Sequence, residues 1–178
     1  MDIFEYLEEL QEDIFSLHVS QIKSKYYEIC VTLSSTNDAK RIQSVSLDVY
    51  KRKLSFGLYE ASIIAKEESS KAIYYEYDLD NHWGGHFFVC DDYLPLEEQD
   101  DDWACDWTNE VEGPQSLEFA EIYSKNGFDT NQKAIGHTLY LIARTVCCFI
   151  SVCNKRKSNI PICIGFHGQD PIMRMCRE

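Results

Sequence analysis

The sequence predicts an α+β fold in a single domain, residues 1–178: an antiparallel β-sheet of about five to six strands, with N-terminal and C-terminal helices packed on it. Three observations lead to this prediction. Apolar residues recur at helical spacing near the N-terminus, alternate with polar residues through the middle, and fill a long stretch near the C-terminus. A chain of 178 residues fits one domain better than two and can bury a core without disulfides or a metal.

The first half of the chain is predicted to be one helix followed by strands. Apolar residues from Ile3 to Leu17 recur at helical spacing, with acidic residues on the opposite side. Three later stretches are rich in β-branched and aromatic residues or alternate with period two, which predicts strands: 26–33, 45–49 and 54–58. Residues 34–40 are interpreted as a loop, and the basic clusters at 51–53 and 155–157 as solvated turns.

The second half is predicted to contain three strands and two helices. Alternation predicts strands at 73–79, 86–90 and 160–166, the first two joined by a turn at 80–85. Pro114 and Gly127 bracket a short helix at 115–125. Asp129 and Gln132 resemble a capping box that opens a longer helix, about 130–153, which is apolar nearly all round and therefore predicted to be buried. The short connections between strands favour an antiparallel meander.

Charge is distributed very unevenly along the chain. The net charge is −13, and residues 72–124 hold 15 acids without a single Lys or Arg. The rest of the chain holds 15 acids and all 17 bases. Such an acidic protein repels nucleic acid and anionic lipid, so direct binding to either is not expected.

The acidic middle also contains all three tryptophans. An acidic run is often only a solvated loop, but solubility requires neither one sign of charge in one segment nor tryptophan beside it. Trp and Tyr are common interface anchors, and a field of one sign steers an oppositely charged partner. The segment is therefore predicted to bind a basic protein, and an exposed strand edge offers a second route to the partner. The predicted docking residues are Glu76, Asp78, Asp80, Trp83, Asp101, Asp102, Trp103, Asp106 and Trp107.

No catalytic, metal-binding or cofactor-binding residues are predicted. His82 and His86 have a helical metal-ligand spacing, but Gly84 and Gly85 between them favour a hairpin. The cysteines form no C-x-x-C pair, Asp100–Asp102 lacks the spacing of a calcium loop, and no glycine-rich phosphate loop is present. The alternative to a binding protein is a small cytosolic hydrolase that combines Cys90 or Cys105 with His137 or His167.

A cytoplasmic location is expected. The N-terminus lacks the basic and small-residue features of a signal peptide. The longest apolar stretch, 139–153, contains Arg144 and is short for a membrane span. Three of the eight cysteines lie in that stretch, as expected of buried free thiols in a reducing compartment.

In its opening residues 1–15 and in its acidic, aromatic-rich middle, the chain resembles the immunity proteins of bacterial contact-dependent growth inhibition (polymorphic toxin) systems. The resemblance implies a protein without catalysis that binds one cognate toxin domain and blocks it. Such toxin domains are commonly basic nucleases, which agrees with the prediction of a basic partner.

Overall fold

A computed structural model describes residues 2–156 and 158–176, which form six α-helices, five β-strands and two short 3₁₀-helices. The helices are α1 (Ile3–Ser16), α2 (Val19–Leu33), α3 (Thr36–Ser44), α4 (Asp48–Glu68), α5 (Leu117–Ser124) and α6 (Gln132–Cys153). The strands are β1 (Ala72–Asp78), β2 (Gly84–Cys90), β3 (Trp107–Glu112), β4 (Ile162–Phe166) and β5 (Met173–Arg174). The 3₁₀-helices, Leu96–Glu98 and Asp102–Cys105, lie between β2 and β3.

The α+β prediction is confirmed, but the sheet is mixed rather than antiparallel. Its strand order is β3-β2-β1-β4-β5. β1 pairs antiparallel with β2 and parallel with β4, whereas β2–β3 and β4–β5 are antiparallel. The chain crosses through α5 and α6 before β4 returns beside β1, and a helical crossover of this kind delivers a parallel strand.

The three strands predicted between residues 26 and 58 are wrong, because the regular elements before β1 are the helices α1 to α4. The segment 26–33 belongs to α2, whose buried residues Ile22, Tyr26 and Cys30 are four apart, as on one helix face. Its aromatic and β-branched composition suggested a strand, but helix packing outweighs such local preference. The predicted loop at 34–40 is instead the start of α3, where the Ser35 side chain accepts a hydrogen bond from the Asp38 amide.

The prediction of strands at 45–49 and 54–58 is wrong. Exposed apolar residues there give the sequence an alternation of apolar and polar residues that resembles a strand. Both stretches run into or lie within α4, which buries Leu54, Leu58 and Ala61 on one face. Val49 and Phe56, which completed the apparent alternation, are 58% and 63% exposed. The basic cluster at 51–53 therefore lies on a helix rather than in a turn, and the cluster at 155–157 includes Lys157, which is outside the described residues.

The long C-terminal helix is confirmed as the centre of the core. α6 ends at Cys153 as predicted and packs against α2, α3, α4, α5 and α1. Its N-cap is Asn131, whose side chain accepts from the Ala134 amide, and not the predicted Asp129. By length and composition α6 could cross a membrane, but 78% of its most apolar window is buried in the fold, as in the core helix of a water-soluble protein.

The β1–β2 hairpin is confirmed, and its turn places Trp83 in the core. His82 and Trp83 both have left-handed backbone (φ 57° and 54°), and the Gly84 amide donates to the Asn81 carbonyl at 2.9 Å. A non-glycine residue in this conformation costs about 1–2 kcal/mol. Burial offsets that cost, because the Trp83 ring is fully buried against Tyr77 and Phe119.

Trp83 also satisfies its polar atom inside the core. Its Nε1 donates to Thr145 Oγ1 on α6 at 2.9 Å, so the hairpin turn is tied to the central helix. We therefore expect Trp83→Ala to lower the free energy of unfolding by about 3–5 kcal/mol, the usual cost of emptying a buried aromatic site. Urea denaturation measures the loss.

Trp107→Ala is the matched control, because the Trp107 side chain is 43% exposed. We expect it to cost much less stability than Trp83→Ala. Equal losses for the two variants would contradict the assignment of Trp83 to the core.

Candidate functional site

The sheet has two unlike faces. The helices cover one face, where Tyr75, Tyr77 and Phe87 belong to the main core. On the opposite face a smaller apolar cluster includes Tyr74, Cys90, Trp103, Cys163 and Ile172. The acidic segment between β2 and β3, residues 91–106, supplies Trp103 and covers only part of this second face.

Charged residues lie side by side on this uncovered part. Glu76 on β1, His86 on β2 and Glu112 on β3 are direct cross-strand neighbours, and Glu110 lies opposite Phe88 in the next row. Side chains on directly opposed residues are about 4.5–5.5 Å apart at Cβ, so these groups share one field. Glu110, Glu112 and His86 are exposed, and Glu76 is half-buried.

An aromatic residue stands next to these charges. The Trp107 ring packs on Phe88 with a centroid separation of 4.9 Å and keeps 43% of its side chain exposed. We call the group made of Glu76, His86, Trp107, Glu110 and Glu112 the acidic face. It combines negative charge, an exposed ring and, in β3, the edge strand of the sheet.

The edge of β3 has unpaired main-chain groups. The Gly113 amide donates to the Gly85 carbonyl at 2.7 Å, which fixes the direction of alternate groups along β3. By alternation, the amides and carbonyls of Glu110 and Glu112 point away from β2. Among the described residues no backbone partner is found for them. An edge of this kind can accept a strand from another protein.

The acidic segment is held on the sheet by one buried base, Arg174 of β5. Its Nη1 lies 2.7 Å from Asp101 Oδ1, and its Nη2 donates to the Leu94 carbonyl at 2.8 Å. The guanidinium also lies over the Tyr93 and Trp103 rings, at 5.7 Å and 5.2 Å from their centroids. The charge of Arg174 is thus paired with Asp101 in the interior, and the guanidinium is not exposed at the surface.

Two predicted docking residues, Trp83 and Trp103, are buried, and a third, Asp101, is half-buried and bonded within the fold, so their prediction is corrected. Trp83 is fully buried in the main core. Trp103 is 3% exposed and donates from Nε1 to Asp101 Oδ1 at 3.3 Å. Asp101 also accepts a hydrogen bond from the Ile172 amide. Both oxygens of its carboxylate therefore bind groups of this protein. Trp83 and Trp103 thus lie beside acids in the sequence but belong to the main core and to the second apolar cluster, and neither forms an exposed interface.

The other six predicted residues remain at or near the surface. Asp78 caps the hairpin turn by accepting from the Asp80 and Asn81 amides, at 2.9 Å and 3.2 Å. Asp80, Asp102 and Asp106 are exposed. Of the nine, only Glu76 and Trp107 lie on the acidic face as defined above.

Glu76 has a charged neighbour of its own. Its Oε1 lies 3.2 Å from His167 Nδ1, and its Oε2 accepts from the Tyr74 hydroxyl at 3.2 Å. Hydrogen bonding to Glu76 raises the pKa of His167 above its ordinary value. The acidic face therefore becomes less negative at low pH.

Sequence analysis missed His86, Glu110 and Glu112. The missing signal was the alternation Glu110-Val111-Glu112, in which Val111 packs toward the main core and the two acids point outward. That pattern predicts a half-buried strand by itself. No strand was predicted at 107–112, and the docking residues were chosen from acids beside tryptophans.

The structure separates Cys90, one of the two cysteines of the hydrolase alternative, from both of its candidate histidines. Cys90 is buried opposite Ala72, and the His167 amide bonds to Tyr77, about 16 Å further along β1 at 3.3 Å per residue. Burial raises the pKa of the Cys90 thiol to about 12, which leaves it unreactive. His137 lies on α6, on the other side of the sheet from Cys90.

The described residues also contain no group of three His, Cys, Asp or Glu side chains suited to a metal ion. Among the described residues the eight cysteines form no disulfide, and five of them are buried. Comparison of the chain with protein-family models, curated proteins and solved structures finds no match.

Two neighbouring acids should differ sharply in their effect on stability. Asp101→Ala leaves the buried Arg174 charge without its carboxylate, and breaking a buried pair costs about 3–5 kcal/mol. Asp102→Ala removes an exposed carboxylate and should change the free energy of unfolding by less than about 0.5 kcal/mol. Urea denaturation of both variants, with their native structure checked by near-ultraviolet circular dichroism, measures the difference. Similar stability of the two variants would show that the Asp101–Arg174 pair does not hold the acidic segment.

Proposed function

We propose that the protein is a cytoplasmic immunity protein that binds and neutralises a basic toxin domain on its acidic face. The observation that carries this proposal is the arrangement of Glu76, Glu110 and Glu112 near an exposed Trp107 on the edge strand β3. The proposal rests on this geometry together with the distribution of charge along the chain. The protein acts by occupying its partner and not by catalysis.

Electrostatics supports a basic partner. The 53 residues from 72 to 124 contain no Lys or Arg, so only bases from elsewhere in the chain can neutralise their 15 acids. Arg174 is buried against a single acid, Asp101, and Lys53 lines a pocket with Glu76 and Glu112, so most of the 15 acids have no described base beside them. The uncompensated field attracts a cationic surface and accelerates its association, most strongly at low ionic strength. Nuclease domains, whose binding grooves are basic, fit this requirement.

Shape supports a protein rather than a small ligand. The outward main-chain groups of β3 lie beside α4, whose Gly57 approaches the Glu112 carbonyl. The exposed side chains of Val49 and Phe56 line a groove with Glu112 and Gly113 along this edge. Arg52, Lys53 and Glu60 also line this groove, so a partner segment there meets apolar side chains and charges of both signs. Trp107 is the best candidate anchor because tryptophan is strongly enriched among interface residues that dominate affinity.

The hydrolase alternative gains no support from the described residues. Cys90 is buried and lies far from His167, and His137 has a different environment. Its Nδ1 accepts from Asn126 at 3.1 Å, its Nε2 lies 3.6 Å from Asp38, and burial lowers its pKa. These contacts are those of a buried histidine whose ring is held by neighbouring residues of the core.

The first test concerns the partner. We expect the reading frame upstream of this gene to encode a large secreted protein whose C-terminal domain is basic and toxic. That domain, purified, should bind this protein at one to one and lose its toxicity. A secreted neighbour whose domain neither binds this protein nor is neutralised by it would contradict the proposal.

The second test locates the surface. Glu110→Gln combined with Glu112→Gln should slow association with the toxin domain and reduce its salt dependence, because the steering field is weakened. Trp107→Ala should raise the dissociation rate about tenfold or more at any salt concentration, as expected when about 1.4 kcal/mol of contact energy is lost. Surface plasmon resonance measures both rates.

The matched control is Glu8→Gln combined with Glu28→Gln, which removes the same charge from exposed positions on α1 and α2. We expect this control to bind almost as the unmodified protein does, because charges beyond about 8 Å are screened at physiological salt. If the control slows association as much as the double variant on β3, net charge and not the acidic face directs binding.

A further inference from the structure

A second charged site lies on the helical side of the molecule, away from the acidic face. A pocket of about 360 Å³ is formed where α2, α6 and the start of α4 meet the connection between α3 and α4. Three bases line it, each from a different helix: Lys23 from α2, Lys51 from α4 and Arg144 from α6. A basic pocket is unexpected on a chain of net charge −13.

The bases of this pocket are not neutralised by the protein. None of the three forms an ion pair with a described carboxylate, and the one acid in the lining is Asp48. Asp48 Oδ2 instead accepts from the Ser46 hydroxyl at 3.1 Å. The lining thus carries three positive charges and one negative charge. A net charge of about two remains for a ligand to compensate.

Arg144 is fixed in the wall of the pocket by its own hydrogen bonds. Its guanidinium donates to the carbonyls of Ile42 and Val45, the latter at 2.7 Å, at the end of α3. These neutral acceptors orient the group but do not cancel its charge. Burial lowers the pKa of Arg144 and makes the uncompensated charge costly in the empty pocket. An anion would relieve that cost.

The lysines add mobile charge at the rim. Lys23 is exposed and Lys51 half-buried, and both act electrostatically on Cys148, which also lines the pocket. Lys51 lies in the first turn of α4, whose N-cap, Leu47, provides no side-chain hydrogen bond. The positive end of the helix dipole therefore adds to the field of the three bases.

We propose that this pocket binds a phosphate-type oxyanion, either free phosphate or the phosphoryl group of a small phosphomonoester. A dianion matches the net charge of the lining. Several bases converging from separate elements suit a group with three or four oxygens better than a two-oxygen carboxylate. The volume lies within the range of small-ligand sites and leaves room for a substituent on the phosphate. The site is separate from the acidic face and does not depend on the proposed function.

The test is a titration of the ¹⁵N-labelled full chain, followed by NMR, with inorganic phosphate, AMP and acetate at matched ionic strength. We expect phosphate and AMP to shift the amides of residues 44–51 and of Arg144 saturably, and acetate to leave them unchanged. Tighter binding of AMP would identify a phosphomonoester ligand, and equal binding would identify free phosphate. Equal shifts with acetate would overturn the proposal.

Variants test which bases are responsible. Lys23→Gln combined with Lys51→Gln should weaken phosphate binding at least tenfold. Both side chains are at least partly exposed and neither forms an ion pair with a described carboxylate, so the fold should be retained. The matched control is Arg52→Gln combined with Lys53→Gln, which removes the same charge from adjacent α4 positions outside the pocket. Equal weakening by both pairs would mean that overall charge, not this pocket, attracts phosphate, and the proposal would fall.

Discussion

The position of the acidic segment depends on the burial of Arg174. Its guanidinium binds Asp101 and the Leu94 carbonyl, while its own backbone exchanges two hydrogen bonds with the Gln11 side chain of α1. One residue thus joins the first helix, the last strand and the loop that covers the sheet. Isolated buried charge is expensive, so Arg174 and Asp101 are each stable there only with the other. This pair and the apolar contacts of Trp103 together offset the mutual repulsion of the acids in the segment.

This arrangement explains how the surface becomes strongly acidic without unfolding the segment. The fold neutralises one acid, Asp101, and leaves its neighbours Asp100, Asp102 and Asp106 exposed. The covered half of the sheet face is closed by apolar contacts around Trp103, and the open half presents Trp107 and the acids of β3. The acidic segment therefore stabilises the fold through Asp101 and Trp103, and it also borders the proposed docking surface.

Sequence patterns predicted the second half of the fold better than the first. The alternation in β1, β2 and β4 and the apolar character of α6 follow directly from burial, so they could be predicted. In α4, exposed Val49 and Phe56 concealed a helical period, and only tertiary packing shows which face is buried. The site was predicted in part: acidity and Trp107 were visible, but the roles of Trp83, Asp101 and Trp103 depend on contacts with Thr145 and Arg174, 62 to 73 residues away. No local pattern encodes such contacts.

The most direct test of a docking surface at β3 is amide hydrogen exchange, measured by NMR on the protein alone and in complex with the toxin domain. The outward amides of Glu110 and Glu112 have no backbone partner in the described structure and should exchange quickly in the free protein. We predict that they become strongly protected in the complex. Protection confined to α2, α4 or α6, with exchange in β3 unchanged, would contradict the account.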